Sequence, residues 1–380
     1  MKHLRIIDSS FQLLGEIDDY ETLSFTRRWH TYGAFELRIN RHKRNTDTLQ
    51  KGNIIIIGGS QTKVGIIKHR EISVNEGSKQ SEQWVIKGTT LGGIFSGRLT
   101  DPPNKDHDSV KVTAESAMKH YVNNHVINPA VTGRKITQLQ NATDLGRGSV
   151  VDWQSRFASL PAELEAISII SGIGWNVTID FTLLKWIFDV KVGRDLTVNQ
   201  TVNPPVIFSP QFDNVKEAHL IDSDLEYKNV AYVAGQGEGA ARRVVIVGTA
   251  TGLDRAELFV DARDVEEKDE NGVQLPAATI NARLTERGQQ ALAEHNRELT
   301  LNAQVFSTDS MKYEEDWDLG DTVTVQNRTW KVTLDARITE VTEIYESDGF
   351  KLEVTFGNSY PTLIDKIKSE FRMIGNEMKR

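Results

Sequence analysis

Lys51-Gly52-Asn53-Ile54-Ile55-Ile56-Ile57 sets the reading of the chain. Four consecutive isoleucines after a glycine turn read as a short, fully apolar β-strand, because β-branched side chains suit a pleated sheet and the run is too short for a buried helix. After it the chain reverses near Gly65. The strand Val64-Gly65-Ile66-Ile67 continues through Ile72-Ser73-Val74, and Trp84-Val85-Ile86-Lys87-Gly88 closes the set. Before it, Leu4-Arg5-Ile6-Ile7 and Phe11-Gln12-Leu13-Leu14, followed by Gly15, form the arms of a hairpin. Leu23 to Trp29 and Ala34 to Ile39 alternate apolar and polar residues, which buries one face of a strand and wets the other. Many short strands with glycine and asparagine turns predict a barrel or sandwich.

The pattern returns late in the chain. Leu319-Gly320-Asp321 opens Thr322-Val323-Thr324-Val325, a strand spans Ala336 to Tyr345, a loop falls at Gly349, and Leu352 to Phe356 closes at Gly357. The spans Gly52 to Gly88 and Gly320 to Gly357 are about equal. They read either as two similar barrels in one chain or as two unrelated β-units that share turn chemistry.

Between them the character changes. Asp101-Pro102-Pro103-Asn104 breaks the chain, and a helix-like run carries Val112, Ser116, Lys119 and Val122 to Val126. A second helix, capped by Asp152 or Ser149, places Phe157, Leu160, Leu164, Ile167 and Ile170 at helical spacing. Pro161 either kinks it or begins a new helix, and Gly172 and Gly174 end it. A hairpin, Trp175 to Ile179 and Lys185 to Val190, completes an α+β unit over about residues 96–200. Asn203-Pro204-Pro205 marks the next boundary. Strands follow at Val230 to Ala234, Arg243 to Val247 and Ala256 to Val260. A helix from Pro276 lines up Ile280, Leu284, Gly288, Leu292 and His295, and an amphipathic helix after Pro361 carries Leu363, Ile364, Ile367, Phe371, Ile374 and Met378.

Composition narrows the function. The 380 residues contain no cysteine, which rules out disulfides, thiolate metal sites and cysteine nucleophiles. Net charge is −8, against the basic excess that stable nucleic-acid binding requires. No stretch approaches a membrane span, and Met1-Lys2-His3-Leu4-Arg5 has no apolar signal core behind it, so no secretion signal is expected. Gly235-Gln236-Gly237-Glu238-Gly239 fails as a phosphate loop, because a strand and not a helix follows it. His120 and His125, five apart, are not placed on one helical face, and no zinc-protease spacing occurs. Asp222 with Asp224, and Glu314-Glu315-Asp316, are the carboxylate pairs available for glycoside hydrolysis, of a kind any acid-rich chain supplies by chance. Glu266 to Gly272 reads as a solvated hairpin tip. No cofactor, metal or catalytic residue is expected. A cell-wall hydrolase and a carbohydrate-binding adhesin stand as alternatives to a non-enzymatic, structural role.

Phe25-x-Arg27-x-Trp29 with Gly33-x-Phe35-Glu36-Leu37 resembles the opening of siphophage tail proteins that cap the distal end of the tail tube. Tyr227-Lys228-Asn229-Val230-Ala231-Tyr232-Val233-Ala234-Gly235, followed by Arg243, Gly252, Arg255, Glu257, Asp261, Ala262 and Arg263, resembles a second signature. Leu319-Gly320-Asp321-x-Val323-x-Val325, with Arg337-Ile338-x-Glu340 and Phe356-Gly357, resembles a third. Arg156-Phe157, Gly174-Trp175 and Gly193-Arg194-Asp195-Leu196-Thr197 fit the same pattern, so the likeness covers about residues 20 to 357.

That family is similar in fold to the baseplate hub of contractile phages. The resemblance implies a mainly β chain with α+β insertions, built as a four-domain hub with two tail-tube-like β-barrels and two smaller α/β domains. The expected division is a first barrel at 1–95, completed by 200–235, an α+β insertion at 96–200, a second barrel at 201–250 with 300–360, a small α/β insertion at 251–299, and a C-terminal helix at 361–380. It further implies a homotrimer at the virion tail tip, assembled in the host cytoplasm and extracellular in the released particle. Its partners would be a distal-tail or tail-tube ring above, the end of the tape-measure protein in the lumen, and a tip, fibre or receptor-binding protein below, with only transient passage of DNA. Arg27, Arg243, Arg263 and Arg337 are then expected to be buried-turn or interface ion-pair residues. The chain ends about 23 residues beyond Gly357, too few for the hydrolase that some relatives carry there.

Overall fold

The computed structural model describes residues 2–73, 82–102, 107–268, 272–306 and 311–357. The expected strand end at Val74, the loop at Gly77, Pro103-Asn104, part of the 266–272 tip and the helix after Pro361 lie outside these residues.

The first β-unit contains β1 (Leu4–Ile7), β2 (Leu13–Ile17), β3 (Thr22–Arg28), β4 (Ala34–Asn40), β5 (Ile54–Ile57), β6 (Val64–Ser73) and β7 (Gln83–Thr90). All pairings are antiparallel, in the order β3-β4-β7-β6-β5-β1-β2. The four isoleucines explain themselves here. Ile55 and Ile57 enter the core of this unit with Leu23, Phe25 and Leu37, while Ile54 and Ile56 face the neighbouring insertion. A strand buried on both faces has no polar position to offer. Gly15 does not end β2. The strand runs through it to Ile17, with a bulge that pairs Ile6 with Gly15 and Ile7 with Leu13.

The α+β insertion follows: β8 (Asp108–Thr113), α1 (Ala114–Val122), β9 (Leu139–Asn141), β10 (Val150–Ser155), α2 (Leu160–Ser171), β11 (Gly174–Asp180) and β12 (Lys185–Lys191). Two expectations need correcting. Val112 lies in β8 and not in a helix; α1 starts only after Thr113, whose side chain accepts from the Ser116 N–H. Val150–Ser155 is likewise a strand, paired with β8, so Asp152 lies inside it and Ser149 directly before it, and neither caps a helix. Pro161 sits in the first turn of α2, where its missing N–H costs nothing, and Gly172 closes the helix in the left-handed conformation.

Then come β13 (Asp195–Leu196), β14 (Ile207–Phe208), β15 (Val215–Ser223), β16 (Val230–Ala234), β17 (Val244–Val247), β18 (Glu257–Asp261), α3 (Ala277–Ala293), β19 (Glu298–Val305), β20 (Thr322–Asn327), β21 (Val332–Glu346) and β22 (Gly349–Gly357). β13 and β14 both pair parallel to β20, and β15-β19-β22-β21 form the rest of the second β-unit. Its core holds Phe208, Trp317, Val323, Ile338, Val354 and Phe356. β21 also pairs with β3 of the first unit, so one 14-stranded sheet runs through both. Among the described residues its ladders run from β15 to β2 without closing into a ring.

The remaining strands stand apart. β17-β16-β18 form a three-stranded sheet covered on one side by α3, with Val233, Val245, Val247, Ile280 and Leu284 in its core. A division at residue 250 therefore cuts between β17 and β18, two strands joined through β16. The 200–235 stretch contributes β14 and β15 to the second β-unit and β16 to this small sheet, and among the described residues it pairs with no strand of the first unit. No helix among the described residues is long and apolar enough to cross a membrane.

Candidate functional site at the seam

The two β-units and the α+β insertion meet around one side chain, Trp29, at the end of β3. Its backbone N–H donates to Thr339 O of β21 at 2.9 Å, and its indole N–H donates to Gly172 O beyond α2 at 3.2 Å. Its ring lies against Gly174 and Gly320. A Cβ on Gly174 would come within 2.4 Å of the ring and one on Gly320 within 2.0 Å, so only glycine permits the approach at either place. Gly320 also has φ +93°, which disfavours any side chain. The Arg337 guanidinium covers the ring at 5.5 Å and donates to Gly320 O. Burial works against its charge and lowers its pKa. Trp175 follows the same logic, with its indole N–H donating to His30 O at 2.7 Å.

Beside Trp29 the alternation of β3 turns Arg27 inward. It donates to Asp318 at 2.7 Å and to the Tyr313 hydroxyl at 2.5 Å. The Tyr313 hydroxyl donates to Glu343 at 2.7 Å, and the Tyr345 hydroxyl donates to the other oxygen of Glu343. Lys63, from the first unit, reaches Glu343 at 2.8 Å and Glu314 at 2.9 Å. Arg27, Lys63 and Glu343 are all buried, Glu343 completely. Burial opposes the charge on Arg27, but Tyr313, Asp318 and Glu343 raise its pKa well above the ordinary value. Burial would raise Asp318, yet Arg27 holds it low. Lys191, at the end of β12, is pushed down by burial and then by Arg27.

A second clamp adjoins the first. Arg194 grips Asp321 through Nη2 at 2.6 Å and Nε at 3.1 Å, and its backbone N–H donates to the same carboxylate at 2.8 Å. A cleft opens beside these clamps, lined by Arg28, Trp29, Tyr32, Gly33, Trp175 and Lys191 among others.

Of the residues singled out in the sequence, Arg27, Gly33, Gly320, Asp321 and Arg337 converge on this seam. Phe35 lies in the first core; Phe356 lies in the second, and Gly357 ends β22. Tyr227, Arg243, Glu257, Asp261 and Arg263 belong to the small sheet and its approach. There Arg243 donates to Asn281 at 3.0 Å, Glu257 accepts from Arg255, and Asp261 lies between Arg242 and Arg263.

Sequence reading missed Lys63, Lys191, Tyr313, Asp318 and Glu343. Glu343 carried a signal, as a charge at an inward position of β21 between buried Val341 and Tyr345. The histidines need a correction. After α1 the chain makes a π-turn at Asn123–Ile127, whose extra residue brings positions five apart onto one face. His120 Nε2 and His125 Nε2 thus reach the two oxygens of Asp108 at 2.7 and 2.9 Å.

The acid pairs are engaged otherwise. Arg297 holds Asp224 with two bonds of 2.6 Å, Lys63 holds Glu314, and Asp316 accepts from the Lys312 N–H at 2.7 Å. Among the described residues no group of His, Asp and Glu is arranged to hold a metal ion. Of the seven tryptophans, Trp330 alone is exposed; Trp84 is half-buried and the other five are buried. What the seam can do chemically is join three units through fixed charge pairs.

A family model described as Siphovirus ReqiPepy6 Gp37-like protein matches residues 3–358. No curated protein sequence matches the chain. Three solved structures share its fold. The tail protein from Neisseria meningitidis MC58 is 14% identical, with 94% of this chain and 97% of that one covered, at a TM-score of 0.56. The 43 kDa tail protein of prophage MuSo2 from Shewanella oneidensis is also 14% identical, covering 94% and 98%, again at 0.56. Prophage tail protein gp18 from Listeria monocytogenes EGD-e is 8% identical, covering 99% and 100%, at 0.51.

Proposed function

The chain belongs to the Siphovirus ReqiPepy6 Gp37-like family, and from that premise we propose that it is the structural hub closing the distal end of a phage tail tube. In this reading it is no enzyme. Three copies form a ring at the tail tip. Each contributes two β-units, so the ring offers six to a sixfold tube above and three chains to the tip below. The two β-units are the tube-like domains of a four-domain hub. The α+β insertion and the β17-β16-β18 unit with α3 are its two smaller domains. The ring seats the end of the tape-measure protein, holds the tip or fibre protein beneath, and opens its channel for DNA.

The observation that carries the reading is the pair of β-units fused through β3 and β21 and locked at Trp29 and Arg27. A part that transmits load between rings must not flex between its own domains. Buried charge pairs with fixed geometry favour one arrangement, whereas an active site would leave such groups free for substrate. The acidic balance suits a wall past which DNA slides.

Light scattering on the purified chain, at increasing concentration and with tail partners added, tests the assembly. The expected result is a species of three times the 42.7 kDa chain mass. A chain that stays monomeric under all these conditions overturns the trimeric hub.

A further inference from the structure

Lys191 ends β12 in the wall of the seam cleft, and its ammonium has no hydrogen-bond or ion-pair partner among the described residues. Asp318, Asp189 and Glu314 are the carboxylates that favour its charge. Each is taken by another cation. Arg27 holds Asp318 at 2.7 Å, Arg147 and Lys119 hold Asp189 at 2.7 and 3.1 Å, and Lys63 holds Glu314 at 2.9 Å. Arg28, on the same cleft, is matched by Glu340 at 2.6 Å. Of the charged groups that line the cleft, Lys191 is thus left without a counter-ion in contact.

Its surroundings make that costly. Lys191 is half-buried and pairs across the sheet with Gly174. The Trp29 ring fills the place that a side chain on Gly174 would take, and Trp175 adjoins it in the cleft wall. An ammonium among indoles loses hydration that only an anion replaces well. Thr90, on the opposite wall, offers a second donor. Its oxygen accepts the Gly33 N–H at 2.9 Å, which leaves its hydroxyl hydrogen to donate.

We propose that the seam cleft binds one carboxylate, with the Lys191 ammonium as its counter-ion and the Thr90 hydroxyl as a second donor. One unmatched positive charge calls for a monoanion. A phosphate dianion would carry surplus charge into a site walled by indoles, where an unpaired charge is expensive. The carboxylate belongs to a free small acid or to an acidic side chain that enters from another protein; both present the same two oxygens. Residues of both β-units and of the α+β insertion line the cleft, so its occupant bears on all three at once. The proposal does not depend on the hub reading and stands or falls separately from it.

NMR on the full chain tests it, with lysine labelled with carbon-13 at Cε and Lys191→Arg identifying the Lys191 signal. Sodium acetate is the free-acid probe, and a capped tripeptide with a central glutamate is the side-chain probe. Sodium chloride at equal ionic strength and the same tripeptide with a central glutamine are the controls. The expected result is a saturable shift of the Lys191 signal with acetate, with the glutamate peptide or with both, and a titration midpoint raised by about one pH unit in the bound state. A response to the peptide alone assigns the site to a protein side chain, and a response to acetate alone assigns it to a free acid. No saturable shift with either probe, or an equal shift with chloride or with the glutamine peptide, overturns the proposal. Affinity for the responding probe, measured by calorimetry, is expected to fall about tenfold or more in Lys191→Met, the loss for removing one partner of a desolvated charge pair, and to be kept in Lys191→Arg. Unchanged affinity in Lys191→Met, or the same loss in both variants, overturns it.

Discussion

His30 shows how one side chain reports on the seam. Ser168 donates its hydroxyl to Ile173 O at 2.5 Å, so its oxygen is left to accept the His30 Nδ1–H at 2.7 Å. Burial, and then repulsion from Arg337, lower the His30 pKa to about 4. Between that value and the ordinary histidine value near 6.5, the folded chain binds fewer protons than the unfolded chain. Stability is thus full above about pH 6.5 and falls as the pH drops through the window, by about 3 kcal/mol from this group. Urea unfolding at pH 7 and pH 4.5 should show the loss in the wild-type chain and a smaller loss in His30→Gln. Equal losses would mean that His30 keeps its proton in the folded state. Such residues are only partly legible in a sequence. Arg27 and Trp29 stood out through their spacing, whereas Glu343 was missed although its inward register in β21 carried a signal. Lys63 and Lys191 did not, because their partners lie hundreds of residues away in one case and in another unit in both.

At the scale of elements, strands that bury one face were readable wherever alternation held, as in β3, β4, β11 and β12. The errors have physical causes. β8 is short and mostly polar, so its pairing with β10 makes it a strand; β10 alternates, with Val151 and Trp153 buried, but over too few residues to stand out beside the helical spacing that follows. The π-turn after α1 leaves no periodic trace, though Asn123 and Asn124, poor helix formers, sit where it begins. The element on which the fold turns is β21. Its later half pairs with β3, and Thr342 meets Thr26 with their hydroxyls 2.9 Å apart. A proline there removes a ladder hydrogen bond from a central strand. Thr342→Pro is expected to split a single calorimetric transition into two, as the β-units lose their common sheet. A single transition shifted down in temperature would show that the Trp29 and Arg27 contacts suffice to couple them.

The whole molecule was the least legible scale. Gly52 and Gly320 each precede a strand, β5 and β20, in different β-units, yet nothing local told which sheet the strands at 230–247 would join. Their partner β18 is parallel and reaches them across a loop, so a boundary at 250 looked natural. The family signatures carried more, since the likeness they point to holds over residues 3–358, whatever contacts join those residues. The hub proposal joins these levels: two β-units made rigid at a seam, repeated three times around a channel. Imaging tails purified from particles assembled with this chain, carrying an electron-dense label on it, tests that most directly. The predicted result is label only at the distal end of each tail, in three copies. Label spread along the tube, or absent from the particle, would contradict the proposal that this chain closes the tail.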